Sequence, residues 1–97
     1  MHIHEFQKLI EEIYFPRDAA RGRDRTFAWF IEEVGELARA LNRPRDRDGQ
    51  NIREEFADVL AWLSTLASIE GISLEEAALD KYGKGCPRCG AIPCRCS

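Results

Sequence analysis

Glu32-Glu33-Val34-Gly35-Glu36 and Glu55-Phe56-Ala57-Asp58 are the two places where residue type and spacing in this chain suggest chemistry. Each puts two carboxylates three apart, Glu33/Glu36 and Glu55/Asp58. On a helix, residues i and i+3 are surface neighbours. Two such helices packed antiparallel would bring four carboxylates to one spot, where unpaired anions repel each other. Hard divalent cations such as Mg²⁺ take oxygen ligands and would relieve that repulsion. One acidic cluster beside an apolar stripe is the ordinary pattern of a solvated helix face. Two clusters of matched spacing favour a metal site.

The surroundings sharpen this expectation. A helix turns about 100° per residue. On the first acidic helix, Phe27, Phe30, Val34, Leu37 and Leu41 fall on one stripe, with Glu33 and Glu36 on its flank. Trp29, four residues before Glu33, shares that flank. On the second, Ile52, Phe56, Val59, Leu60, Leu63 and Ala67 form the stripe. Glu55 and Asp58 share its flank with Trp62, four residues after Asp58. In an antiparallel pair both tryptophans reach the same end of the acidic cluster. Metal ligands at one end and flat π surfaces at the other match a nucleotide, with phosphates for the cation and a base for stacking. Each tryptophan, taken alone, also fits core or interface packing.

A second group of chemically capable residues closes the chain. Cys86-Pro87-Arg88-Cys89-Gly90 is a knuckle-type half-site, and Cys94-Arg95-Cys96 supplies two more thiols. Four thiolates complete a closed tetrahedral Zn²⁺ site, structural because no position is left for water. Disulfides, an iron–sulfur cluster or a reduced disordered tail are the alternatives. Clustered cysteines in a reducing compartment favour metal over disulfides. His2 and His4 are spaced to share a metal, but two histidines near a chain end are ordinarily free of one. Glu11-Glu12 and Glu75-Glu76 read as surface or capping residues.

The elements that position these groups are helical. Phe6, Leu9, Ile10 and Ile13 predict a first helix over 4–14, stopped by Pro16. Residues 17–25, with Gly22 and four arginines, read as a polar loop; Arg21, Arg23 and Arg25 are candidate phosphate contacts by charge alone, and solvated loop residues are the simpler reading. A second helix spans 26–41, with Asp24 or Thr26 as N-cap. Asn42, Pro44 and the charged run 45–48 end it, and Gly49 marks a turn. Asn51 with Glu54 resembles a capping box opening a third helix over 51–70, stopped by Gly71. Ser73 with Glu76 opens a fourth, ending near Tyr82. The expected fold is an all-α bundle of four helices over residues 1–84, with a short zinc-binding tail over 85–97.

The 97 residues form one domain with an appendage, and a chain this short is marginal as a monomer. A formal charge of −3 argues against an electrostatic nucleic-acid binder, leaving Arg88 and Arg95 as the tail's only basic groups. No segment has the roughly 18 apolar residues of a membrane span, and no basic-then-apolar leader opens the sequence. A cytoplasmic location is expected.

The two acidic motifs and their frames, Phe30-Ile31-Glu32-Glu33-Val34-Gly35-Glu36-Leu37 and Glu54-Glu55-Phe56-Ala57-Asp58-Val59-Leu60, resemble the MazG-like all-α nucleoside triphosphate pyrophosphohydrolases. The resemblance covers roughly residues 5 to 84. It implies hydrolysis of a nucleoside triphosphate to monophosphate and pyrophosphate, with Mg²⁺ held by Glu33, Glu36, Glu55 and Asp58. Glu32 would be an auxiliary acid that binds a further ion or orients the attacking water. Lys81 and Lys84 resemble the family's basic phosphate contacts, although cations also suit a helix C-terminus. Homodimers or dimers of dimers are implied, with a pocket completed by a second subunit. Relatives include dUTPase-like and dCTPase-like enzymes and phosphoribosyl-ATP pyrophosphohydrolase. A non-catalytic nucleotide- or protein-binding bundle with a zinc knuckle is the competing reading. The cysteine tail departs from the minimal domain.

Overall fold

The computed structural model describes residues 1–43 and 50–97. Four helices follow one another: α1 (Ile3–Arg21), α2 (Arg23–Asn42), α3 (Gln50–Ile69) and α4 (Leu74–Tyr82). No strand occurs among the described residues, so the architecture is the expected all-α one. No single helix is long and apolar enough to cross a membrane.

The largest departure from the sequence reading is at the end of α1. Pro16 lies inside the helix rather than stopping it, and the supposed loop over 17–25 is helical on both sides of Gly22. Proline removes one backbone hydrogen bond and kinks a helix at a cost of about 3 kcal/mol. Here tertiary contacts offset that cost. Asp18, beyond the proline, is buried and accepts a hydrogen bond from Thr65 Oγ1 of α3 at 3.0 Å. The turn is made at Gly22, whose φ of +87° suits glycine. Its carbonyl accepts from the Thr26 N–H at 3.1 Å and from Thr26 Oγ1 at 2.7 Å. The N-cap of α2 is therefore Gly22, and Asp24 and Thr26 lie within the first turn.

The later boundaries follow the sequence more closely. Asn51 is the second residue of α3 instead of its cap. The expected stop at Pro44, the charged run 45–48 and the turn at Gly49 lie outside the described residues. Gly71, at φ +71°, ends α3 as predicted, with the Ile72 N–H returning to the Ala67 carbonyl at 2.8 Å. Ser73 caps α4, its Oγ accepting from the Glu76 N–H at 3.2 Å.

α2 and α3 pack most extensively, α1 lies along α3, and α4 rests on α1. Gln7 of α1 fastens three elements together. Its Nε2 donates to Ser68 Oγ at 3.1 Å and to the Ile72 carbonyl at 2.9 Å, and its Oε1 accepts from the Leu74 N–H at 2.9 Å. That last bond satisfies an otherwise orphan donor at the start of α4. Among the described residues the buried hydrophobic ones are Ile10, Ala40 and Ala67. Gln7, Asp18, Thr26, Ser64 and Thr65 are buried beside them. Much of the apolar stripe on α2 and α3 faces outward. Phe27 is 53% exposed, Leu41 53% and Phe56 54%, and Val34, Leu60 and Leu63 are exposed as well. Phe30, Leu37, Ile52 and Val59 are half-buried, so the stripe is only partly covered within one chain.

Candidate active site

α2 and α3 run antiparallel, because Trp29, before the first acidic motif, meets Trp62, after the second. The two indoles stack with centroids 5.8 Å apart and planes 16° from parallel. Beyond them, Glu33, Glu55 and Asp58 each present a carboxylate oxygen within 4.8 Å of the other two. Of the four carboxylates expected to converge, Glu33, Glu55 and Asp58 do so and Glu36 is not in that group.

The electrostatics follow from this crowding. Burial, followed by repulsion from Asp58, Glu55, Glu36 and Glu32, holds the Glu33 carboxyl above its ordinary range. Burial, followed by repulsion from Asp58, Glu36 and Glu54, does the same to Glu55. Glu36 stands outside the tightest three-acid group, yet its charge reaches both acids. Glu32 is exposed and adjoins Glu33. Glu55 Oε2 is buried without a hydrogen-bond partner. A buried carboxylate oxygen with no donor is costly and calls for a cation or a proton. Crowded hard oxygens with one of them orphaned fit a divalent cation such as Mg²⁺.

A cavity of about 350 Å³ adjoins the acids, lined in part by Asp58, Trp29, Trp62, Asp18, Arg21 and Thr65. Asp58 belongs to both the cavity and the acid cluster, so the two adjoin. Trp29 is half-exposed, and the Arg21 guanidinium carbon is 4.8 Å from the Trp62 ring centroid.

Arg21 was expected to be solvated in a loop. Instead it closes the last turn of α1 and is largely buried. Its Nη2 donates to Asp18 Oδ1, and its Nε donates to Thr26 Oγ1 at 3.1 Å. Asp18 and Thr65 escaped the sequence reading because the bond that joins them spans 47 residues and no local motif marks either. Thr26, read from the sequence as a possible N-cap, instead bonds Arg21 and the Gly22 carbonyl. Arg23 is exposed, 3.5 Å from Glu70, and Arg25 is exposed.

Lys81 and Lys84 are exposed and do not line this cavity. The Lys81 ammonium lies 5.5 Å from the Tyr82 ring centroid. At the other end of α1, His4 Nδ1 pairs with Glu75 Oε2 at 2.9 Å, and the His2 and His4 rings stack.

In the tail, Cys86, Cys89, Cys94 and Cys96 bring their sulfurs within 4.8 Å of one another. The backbone N–H groups of Cys89 and Arg88 hold the Cys86 thiol down at about 6.

Two comparisons with known proteins bear on this arrangement. A family model described as the MazG nucleotide pyrophosphohydrolase domain matches residues 21–90, a stretch that contains both acidic motifs and both tryptophans. No curated protein matches the chain.

Proposed function

Since the chain belongs to the MazG nucleotide pyrophosphohydrolase domain family, we propose that it is a Mg²⁺-dependent hydrolase of nucleoside triphosphates, releasing monophosphate and pyrophosphate. The observation that carries this reading is the meeting of Glu33, Glu55 and Asp58 around a buried Glu55 oxygen that has no donor. Glu33, Glu55 and Asp58 would hold the cation, with Glu36 next to them. Mg²⁺, when bound, neutralises phosphate charge and lowers the pKa of a coordinated water.

The chain's own residues supply the rest. Trp29 offers a half-exposed indole to the base. Asp58, shared by cavity and acid cluster, fixes how far the phosphates lie from that indole. Arg21, Asp18 and Thr65 form a hydrogen-bonded wall that resists collapse of the cavity. Glu32, exposed beside Glu33, accepts the proton of the attacking water. The water oxygen bonds to phosphorus while a bridging P–O bond breaks and pyrophosphate leaves with the bridging oxygen. Nucleotide-pool cleaning or control would be the biological use.

A second copy of the chain is the proposed cover for the exposed stripe of Phe27, Leu41 and Phe56. Burying such large side chains is worth about 1.5–3 kcal/mol each. The partner copy is also the natural route by which Lys81 and Lys84 reach phosphates. Sedimentation should give a dimer or a dimer of dimers, and Phe56→Lys should shift the mass toward one chain.

A pyrophosphate-release assay over ordinary, deoxy and modified nucleoside triphosphates tests the reaction. Mg²⁺-dependent formation of pyrophosphate and monophosphate is expected, abolished by chelation. A folded, Mg²⁺-loaded protein that turns over none of them would refute the reading and favour a bundle that only binds nucleotides.

A further inference from the structure

The thiol cluster is not used by the proposed hydrolysis, and its geometry is more specific than proximity alone. Cys86 Sγ lies 3.6 Å from Cys96 Sγ and 3.6 Å from Cys94 Sγ. A tetrahedral centre with metal–sulfur bonds of about 2.3 Å has sulfur–sulfur edges of about 3.8 Å. A disulfide would draw two sulfurs to about 2.05 Å. The observed spacing is therefore that of ligands sharing one cation, and it is too wide for disulfides.

The backbone is shaped to the same end. The Gly90 N–H donates to the Cys86 carbonyl at 2.7 Å, and the Cys86 N–H returns to the Ala91 carbonyl at 3.1 Å. This closes a tight turn around the first two thiols, with Gly90 at φ +74°. The Arg95 N–H points at Cys89 Sγ and the Cys96 N–H at Cys94 Sγ, each at 3.3 Å. Such donors spread the charge of a thiolate, as they do at metal centres. At Gly85 a Cβ would come within 2.8 Å of Ile92 Cγ1, so the two arms of the tail touch there.

Nothing else in the tail explains that order. Three of its four cysteines are exposed, and Ile92 is 80% exposed. A dozen residues without a hydrophobic core need a cross-link to hold one conformation. Metal binding supplies folding free energy directly in such segments.

We propose that Cys86, Cys89, Cys94 and Cys96 bind one structural Zn²⁺. All four positions are thiolate, so no site is left for water or substrate, and the soft donor set excludes Mg²⁺. The inference is independent of the hydrolysis, since it uses no residue of the bundle's acid cluster.

The test uses the full chain, purified under reducing conditions without chelator. Elemental analysis should give one zinc per chain. Co²⁺ exchange should produce the intense visible bands of tetrahedral cobalt thiolate. Cys86→Ser and Cys94→Ser should each lower zinc content more than tenfold while the helical circular dichroism is retained. If either variant fails to fold, titration of the unaltered chain decides. Zn²⁺ added to metal-stripped protein should protect four thiols from a thiol reagent at one equivalent. Four reactive thiols in saturating Zn²⁺, a mass deficit showing disulfides, or iron in place of zinc would each overturn the proposal.

Discussion

Glu33 meets Glu55 and Asp58 because two helices of 20 residues pack along each other, whereas the four cysteines meet within one short segment after α4. The carboxylates are assembled by tertiary structure, from oxygens too crowded to be comfortable alone. Asp58 borders a cavity, and one buried Glu55 oxygen has no donor. The thiols are assembled by local turns and N–H···S bonds and have no core behind them. If both regions take up the cations proposed above, the first is built before its cation arrives, whereas the second is closed and would need its cation to persist. The same demand, several anionic groups near one point, is met by tertiary packing in one region and by local chain geometry in the other.

The most severe way to break this comparison is to remove a ligand from the open site. Asp58→Asn should lower kcat by more than about 100-fold at saturating Mg²⁺, because even outer-shell partners of metal ligands are worth about 10–100-fold. Zinc content should stay at one per chain. Parallel turnover and metal analysis would show whether the two regions are independent.

The wall of the cavity comes next. Asp18→Ala would leave the Arg21 guanidinium largely buried beside Trp62 with its carboxylate partner gone. Breaking one half of a buried pair costs about 3–5 kcal/mol. Urea unfolding should register a loss near the lower figure, since Thr26 Oγ1 still accepts from Arg21. Asp18→Leu combined with Arg21→Met should recover part of the loss. No effect would mean that the wall does not support the bundle.

Mg²⁺ should also act on stability. Burial and mutual repulsion raise the folded-state pKa of Glu33 and Glu55. Their stabilising contribution in the metal-free chain is therefore fully present below the ordinary carboxylate range. It is lost as pH rises through the raised values. Bound Mg²⁺ would offset that loss, so the cation should raise the melting temperature at neutral pH and do little near pH 4. A ligand at 100 times its Kd stabilises by about 2.7 kcal/mol. Glu55→Gln should raise the melting temperature of the metal-free chain and shrink its response to Mg²⁺. An equal response in both proteins would place the cation elsewhere.

How much of this was legible in the sequence depends on the range of the interaction. The acidic pairs, the glycine stop at Gly71 and the Ser73 cap are set by neighbours within one helical turn, and periodicity exposed them. The helical continuation past Pro16 depends on Asp18 reaching Thr65, 47 residues away, and no local propensity encodes that. Arg21 looked solvated because residues 17–25 read as a loop; once they are helical on both sides of Gly22, its partners Asp18 and Thr26 are close in the chain, and only its contact with Trp62 needs α3. The stripe of Phe27, Val34, Leu41 and Phe56 was visible as an apolar pattern, but a pattern does not say whether its own chain covers it, and these four are 38–54% exposed. The clustering of the four cysteine sulfurs was readable because its determinants are local.

The mildest perturbation tests whether the two regions communicate at all. α4 carries the tail and rests on α1, and the His4–Glu75 pair fastens the two. The backbone N–H of His4 is the main cause of the lowered Glu75 pKa, with its ring adding to it. The pair's contribution is present above the ordinary carboxylate range and lost as pH falls through the lowered value. The pair is solvent-screened, so Glu75→Gln should cost little stability and flatten that acid-side dependence. If the open and closed sites are separate, kcat and zinc content stay unchanged in this variant. A fall in kcat with zinc retained would instead show that α4's seating on α1 reaches through Ile10 and Asp18 to the cavity, and the two regions could no longer be treated as independent.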